Sequence, residues 1–169
     1  MSGQLKMPGL FASAALLLCV STPAQAVMGC WNETQVAAAK VRDLQSRLMV
    51  ATLRCNAMGV NVAPAYNRFV VANRGAIQGA NTVIMAQFRS GYGGQEQVQY
   101  DRFTTSLANL YGDDATDRTI CAEMAAVAEE AAGAQGDIRQ LVTIADRFGA
   151  TPALPGGQCT PSFAAVETT

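Results

Sequence analysis

The sequence predicts an all-α protein, an antiparallel four-helix bundle stapled by disulfides. Three observations support this fold class. Apolar residues recur with alternating spacings of three and four over long stretches, which indicates amphipathic helices. Strand patterns are almost absent, and short loops between the helical stretches favour antiparallel neighbours. The length of 169 residues suits one domain, and a hydrophobic content of 50% is enough for a core.

The first 26 residues have the features of a secretory signal peptide. Lys6 supplies a positive charge, residues 10–20 (LFASAALLLCV) form an apolar run, and Ala24-Gln25-Ala26 is an A-x-A cleavage site. The run is too short to be a transmembrane helix, and no later stretch reaches 18 uninterrupted apolar residues. We therefore expect an exported chain, periplasmic or extracellular, that does not span a membrane after cleavage.

Cleavage would leave a helical bundle domain at 27–150 and a Pro/Gly-rich C-terminal tail at 151–169, tied back by Cys159. Two alternatives stay open at this point. The apolar run could remain as an uncleaved anchor, or Cys30, which follows a glycine, could be lipidated.

The first predicted helix covers residues 33–58. Asn32 is a candidate N-cap with Gln35 three residues later, and Gly59 is a stop signal. An apolar stripe with spacings of four and three defines the buried face: Ala37, Val41, Leu44, Leu48, Ala51, Cys55 and Met58.

The second helix is predicted from Pro64 to about Arg89, and the polar residue Asn73 interrupts its apolar stripe. The third helix covers about 95–111. Its predicted inward residues are Tyr100, Phe103, Leu107 and Leu110.

The fourth helical region runs from 117 to 148 and is much longer than the third. Gly133 and Gly136 are therefore candidate break points, because glycine weakens a helix interior. A break there would give five helices instead of four.

Four cysteines remain after cleavage, and an even number in an exported chain implies disulfides. In an up-down-up-down bundle, the end of helix 1 meets the start of helix 4, which places Cys55 beside Cys121. Cys30 precedes helix 1 and Cys159 follows helix 4, so both lie at the opposite pole. The predicted pairs are Cys55–Cys121 and Cys30–Cys159.

The charge distribution suggests a binding surface. Residues 44–95 contain five arginines and no acidic residue, whereas residues 113–169 contain nine acids and three arginines. Either the basic part faces an anionic partner, such as another envelope protein or an anionic envelope component, or helix 4 neutralises it within the molecule. Nucleic acid is not an expected partner, because the pI is about 5.3. The candidate binding residues are Arg68, Arg74, Arg89, Tyr92 and Arg102.

The absence of histidine excludes Ser/His/Asp and Cys/His catalysis and His-ligated zinc or haem. We expect no cofactor, no metal and no catalytic residue. Asp113, Asp114 and Asp117 cluster at a helix start, where acids ordinarily act as caps, and the calcium loop motif is absent.

The expected function is therefore that of an exported, non-catalytic binding, assembly or accessory protein of the bacterial periplasm or cell surface. Two alternatives remain. One is a hydrolase of cell-wall glycan that uses paired carboxylates, Glu96 with Asp101 or Glu129 with Glu130. The other is a carrier of a small apolar ligand between Ala-rich helices.

Overall fold

A computed structural model describes residues 28–160, and this part of the chain is helical. Its backbone forms no β-strand apart from one isolated bridge between Trp31 and Gln158. The all-α class is confirmed. In chain order the helices are α1 (Glu33–Ala57), α2 (Ala63–Ala72), α3 (Arg74–Tyr92), α4 (Glu96–Gly112), α5 (Arg118–Gly133) and α6 (Ile138–Arg147).

The predicted four-helix bundle is not confirmed, because residues 28–160 form six helices. The second predicted helix is divided into α2 and α3 at Asn73, and the fourth into α5 and α6 between Gly133 and Ile138. The first and third predicted helices correspond to α1 and α4. Both divisions have local causes.

Asn73 breaks the second helix because its side chain is used for tertiary hydrogen bonds. It has backbone angles of φ −112° and ψ 19° and is fully buried. Its amide nitrogen donates to the carbonyl oxygens of Phe69 (2.9 Å) and Ala131 (2.8 Å), and its amide oxygen accepts from the backbone N–H of Gly136 (2.8 Å). These bonds attach the end of α2 to the end of α5.

The break between α5 and α6 lies where the glycines predicted it. Gln135 and Gly136 adopt positive φ angles of 49° and 90°, which end a right-handed helix. Asp137 then caps α6 by accepting from the backbone N–H groups of Arg139 (2.8 Å) and Gln140 (3.2 Å). The prediction of a broken fourth helix is confirmed.

Helix α1 is the centre of the fold and packs against each of the other five helices. The predicted capping box is present, since Asn32 and Gln35 exchange hydrogen bonds of 2.8 and 3.0 Å. Val41, Leu44 and Leu48 of the predicted stripe are at most 1% exposed. The helix therefore forms one wall of the core along most of its length.

Helix α4 runs parallel to α1, as its contacts show. Phe103 packs against Trp31 near the start of α1, and Tyr111 bonds to Asp43 further along the same helix. The predicted inward position of Leu110 is wrong, because Leu110 is 55% exposed and Tyr111 is buried in its place.

Both predicted disulfides are present. Cys30 is bonded to Cys159 with a Cα–Cα distance of 4.9 Å, and Cys55 to Cys121 with 5.7 Å. We call the end of the molecule with Cys30–Cys159 the tail pole, and the end with Cys55–Cys121 the far pole. Because the Cys30 sulfur is in a bridge in this structure, it offers no thiol for lipidation.

None of the helices between residues 28 and 160 is long and apolar enough to cross a membrane. The predicted signal peptide, residues 1–26, lies outside the described residues.

Candidate functional site

A shallow groove of about 660 Å³ lies between α2 and α5. Its surface is mainly apolar, and Val71 within it is 65% exposed. A single exposed aliphatic side chain is common on protein surfaces, but Val71 lies in a concave lining together with Pro64 and Ala72, which is a feature of binding surfaces. We call this feature the α2–α5 groove; it is lined by Pro64, Asn67, Arg68, Val71, Ala72, Ala132, Gly133 and Gln135.

Arg68 lines the groove and forms an ion pair across it with Glu129 of α5. Its Nε donates to one carboxylate oxygen at 3.0 Å and its Nη2 donates to the other. The pair lowers the pKa of the Glu129 carboxyl, which therefore stays ionised. Both groups are exposed, so water screens the pair and another carboxylate could replace Glu129 with little loss.

Arg74 begins α3 and lies three residues beyond Val71. It is exposed and forms no ion pair within residues 28–160.

The other three predicted binding residues lie elsewhere. Arg89 is about 22 Å from Arg74 along α3, given the helical rise per residue, and pairs with Glu96 at 3.0 Å. Tyr92 is half-buried against Phe88, with ring centroids 6.2 Å apart. Arg102 is exposed on the outward face of α4. The structure therefore does not gather the five residues into one site.

Among residues 28–160, one ion pair joins the basic part of the chain to the acidic part, that of Arg68 with Glu129. Lys40 of α1, which precedes the basic part, contacts Asp146 of α6 at 2.5 Å. The alternative of intramolecular neutralisation thus holds for Arg68, but Arg74 lies outside these pairs.

A second concave feature at the far pole was missed by the sequence reasoning. This cleft of about 290 Å³ lies between the end of α1, the α4–α5 connection and the start of α5. We call it the Arg47 cleft, and its polar lining residues are Arg47, Arg54, Tyr111, Asp114, Thr116 and Glu123. A sequence signal was present, because Asp43, Arg47 and Arg54 lie on one face of α1 at spacings of four and seven.

Asp43 and Tyr111 form a buried hydrogen bond behind the Arg47 cleft. The phenol donates to the carboxylate at 2.7 Å, and Asp43 is fully buried. Burial raises the pKa of the Asp43 carboxyl, although the Tyr111 hydrogen bond and the nearby Arg47 charge oppose this shift. Burial and the adjacent carboxylate both raise the pKa of Tyr111, so the phenol stays protonated.

Arg54 fastens the α4–α5 connection that forms one wall of the cleft. Its Nε donates to the Thr116 hydroxyl at 2.6 Å, and its Nη1 donates to the Tyr111 carbonyl at 3.1 Å. The same guanidinium also donates to the carbonyls of Gly112 and Asp114. A cation at the end of α4 satisfies carbonyl groups that a helix terminus leaves without partners.

Three of the four carboxylates considered for glycan hydrolysis are engaged in ion pairs, and the fourth, Asp101, accepts from the side-chain amide of Gln97 at 2.9 Å. Arg89 helps to lower the pKa of Glu96, after the larger effect of a backbone hydrogen bond. Glu129 pairs with Arg68, and Glu130 pairs with Arg147. A general acid needs a raised pKa, so the lowered pKa values of Glu96 and Glu129 do not suit that role.

The aspartates at the start of α5 have different roles. Asp117 is the N-cap, and its side chain accepts from the backbone N–H of Ile120 at 2.8 Å. The capping interpretation is thus confirmed for Asp117. In the described part of the chain, no three acidic or cysteine side chains are grouped so that they could hold a metal ion.

Comparisons of this chain with protein-family models, with curated proteins and with solved structures found no match.

Proposed function

We propose that this protein is an exported, non-catalytic binding or assembly module of the bacterial envelope. Its α2–α5 groove binds an acidic segment of another envelope protein that presents an apolar side chain. Two disulfides support the compartment, because such bridges form and persist in oxidising environments outside the cytosol.

The observation that supports this proposal most is the combination of apolar floor and basic rim in the groove. Val71 and Arg68 both line the groove, Val71 is 65% exposed, and Arg74 follows three residues after Val71 in the chain. No acidic residue occurs between residues 44 and 95, so α2 and α3 add no negative charge of their own. The Glu129 carboxylate is an example of the kind of group to which Arg68 donates hydrogen bonds.

A protein segment suits the groove better than a lipid surface or a polysaccharide. A membrane surface requires a broad basic patch, whereas Arg74 and Arg89 lie far apart on α3 and Arg89 is paired with Glu96. An apolar floor offers few hydrogen bonds to sugar hydroxyls. An aliphatic side chain from a partner, flanked by a carboxylate for each arginine, would match both the floor and the rim.

The proposal is tested by site-specific photo-crosslinking in intact host cells. A photoreactive phenylalanine analogue replaces Val71, and the same analogue at Val98, which is 49% exposed on α4, is the control position. We expect a discrete protein adduct from position 71 and none from position 98.

The charge test uses the double variant Arg68→Glu/Arg74→Glu. We expect it to reduce the adduct from position 71 at least about fivefold, because each reversal places like charges together. Arg102→Glu is the matched control and should leave the yield unchanged. The proposal fails if no adduct forms at position 71, or if the double variant and Arg102→Glu give the same yield as the parent.

A further inference from the structure

We propose that the Arg47 cleft binds a free α-amino acid with an apolar side chain. The carboxylate of the ligand pairs with Arg47, its ammonium group faces Glu123 and Asp114, and its side chain lies on Ala51, Ile120 and Met124. This site shares no lining residue with the α2–α5 groove, so the failure of one proposal would not affect the other.

The N–H groups of the Arg47 side chain are available to a ligand. Its guanidinium carbon lies 5.3 Å from the centre of the Tyr111 ring, so one face of the group is stacked. It makes no side-chain hydrogen bond or ion pair to any residue in the range 28–160. Stacking leaves the N–H edge of a guanidinium available, and that edge matches a carboxylate with two parallel hydrogen bonds.

The Tyr111 ring, on which Arg47 stacks, is held in place before any ligand binds. The Tyr111 hydroxyl is bonded to the buried Asp43 carboxylate, which fixes the orientation of the ring. Arg54 holds the carbonyl groups of Tyr111 and Gly112. A prearranged site loses less conformational entropy on binding than a mobile one.

The two arginines of the cleft therefore have different roles. Arg54 uses its donors on backbone carbonyls and the Thr116 hydroxyl, so it shapes the wall. Arg47 is without such partners in the described structure and is the residue that faces a ligand. The sequence, which shows only two arginines seven residues apart, does not separate these roles.

Two acidic side chains in the Arg47 cleft restrict the charge of the ligand. Glu123 and Asp114 line the same cleft and form no ion pair within residues 28–160. A ligand with a carboxylate alone would meet these two acids unfavourably, and one with an ammonium group alone would meet Arg47 unfavourably. A zwitterion satisfies both sets of charges, which favours an amino acid over a simple organic acid or amine.

The size and lining of the cleft restrict the ligand further. At about 290 Å³ it lies just below the usual range for ligand pockets, roughly 300–1,000 Å³. Ala51, Ile120 and Met124 add apolar surface to the lining. Both properties favour a single apolar amino acid over a peptide.

The experiment is isothermal titration calorimetry on the mature, oxidised protein with alanine, valine, leucine, isoleucine, methionine and phenylalanine. For the tightest ligand of the six, the N-acetyl derivative removes the ammonium charge and the amide derivative removes the carboxylate. We expect each derivative to bind at least about tenfold more weakly than the free amino acid. The proposal is overturned if none of the six binds, or if either derivative binds as well as the parent.

Variants test the residue assignment. Arg47→Met keeps an apolar stem over Tyr111 but removes the guanidinium, and we expect it to weaken binding at least about tenfold. Glu123→Gln keeps the shape and should weaken binding of the amino acid but not of its N-acetyl derivative. Arg139→Met, an exposed arginine on α6, is the control and should bind as the parent does. Equal affinity in Arg47→Met and Arg139→Met, with both variants folded by circular dichroism, would contradict the site.

Discussion

The two poles of the molecule are each closed by a disulfide, but the surroundings of the two bridges differ. At the far pole, Cys55 and Cys121 are fully buried and pack with Val62 in a small cluster of their own. At the tail pole, Cys30 is exposed and Cys159 is half-buried. The far bridge is therefore part of a core, whereas the tail bridge lies at the surface.

The tail pole has further attachments besides its disulfide. Trp31 is fully buried, and its indole N–H donates to the Pro155 carbonyl at 2.8 Å. Its backbone N–H donates to Gly157, and its carbonyl accepts from Cys159. Gly156 is required in this contact, because a Cβ there would lie 2.7 Å from the Met28 carbonyl oxygen. We therefore expect the buried Trp31 side chain to contribute more to the attachment of the tail than the exposed disulfide does.

The largest expected effect comes from removing the far bridge. We expect Cys55→Ala/Cys121→Ala to lower the free energy of unfolding by about 5 kcal/mol, the upper end of the range for a native disulfide, because both sulfurs are buried and their packing is lost as well. Cys30→Ala/Cys159→Ala should lose less, about 2–4 kcal/mol. Chemical denaturation of the oxidised proteins measures both.

The predicted order of the two stability losses is informative, because loop length alone predicts the larger loss for the tail bridge. The tail bridge spans 129 residues and the far bridge 66, so loop-closure entropy favours the tail bridge. A larger loss in Cys30→Ala/Cys159→Ala would show that loop length decides the order and that burial does not.

The next effect tests whether Trp31 holds the tail pole. We expect Trp31→Ala to lower the free energy of unfolding by about 4 kcal/mol, because it leaves a large cavity beside Phe88 and Phe103. Trp31→Phe keeps most of the apolar volume and serves as the control, with a smaller loss. Denaturant titration followed by far-ultraviolet circular dichroism gives both values, and equal losses would rule out a packing role for the indole.

The third expected effect is a difference between the two disulfides in their rate of reduction. Under native conditions a dilute dithiol should open Cys30–Cys159 at least about tenfold faster than Cys55–Cys121, because exchange requires access to a sulfur. Timed alkylation and peptide mass mapping measure the two rates.

Trp31 is the single tryptophan of the chain and reports on the same reaction. If the tail stays docked after its bridge opens, Trp31 fluorescence should remain that of a buried indole. A red shift that follows the first alkylation would instead show that the disulfide, and not the indole contacts, holds the tail.

The smallest expected effect is on the pH dependence of folding stability, through the buried Asp43. Burial raises the pKa of Asp43 in the folded protein above its ordinary value near 4. The folded state therefore binds a proton more tightly than the unfolded chain, and stability falls as pH rises through this range. Tyr111, Arg47 and Asp114 are the charged or titratable groups around this pair.

Asp43→Asn removes this titration and keeps an oxygen for the Tyr111 hydroxyl. We expect the variant to gain stability relative to the parent as pH rises from 4 to 7, measured by denaturant unfolding at each pH. Asp146→Asn on the exposed Lys40 pair is the matched control. The same pH profile in Asp43→Asn and the parent would contradict the assignment.

Much of the fold could be read from the sequence because it depends on local signals. The Asn32–Gln35 capping box, the Gly59 stop and the glycines near residue 135 act within a few residues of themselves. The disulfide pairing also followed, since the order of the helices alone brings Cys55 to Cys121 and Cys30 to Cys159. The pairing survived the change from four helices to six because each break divides a helix without moving its outer end to the other pole.

The break at Asn73 could not be predicted in the same way. A polar residue on an apolar stripe was visible, but its partners, Ala131 and Gly136, lie about 60 residues further along the chain. The misplaced Leu110 has a similar cause, because only the meeting of α1 and α4 brings Tyr111 against Asp43 and turns Leu110 outward.

By itself, the sequence determined the helical class, most helix ends and the covalent pairing, because these depend on short-range hydrogen bonding and on the order of elements. Only the tertiary structure decided which arginines are free to bind. Arg54 and Arg68 have hydrogen-bond partners about 60 residues away, whereas the side chains of Arg47 and Arg74 have no hydrogen-bond or ion-pair partner among residues 28–160. The charge of a side chain is a property of its residue type, but its availability depends on what the fold places beside it.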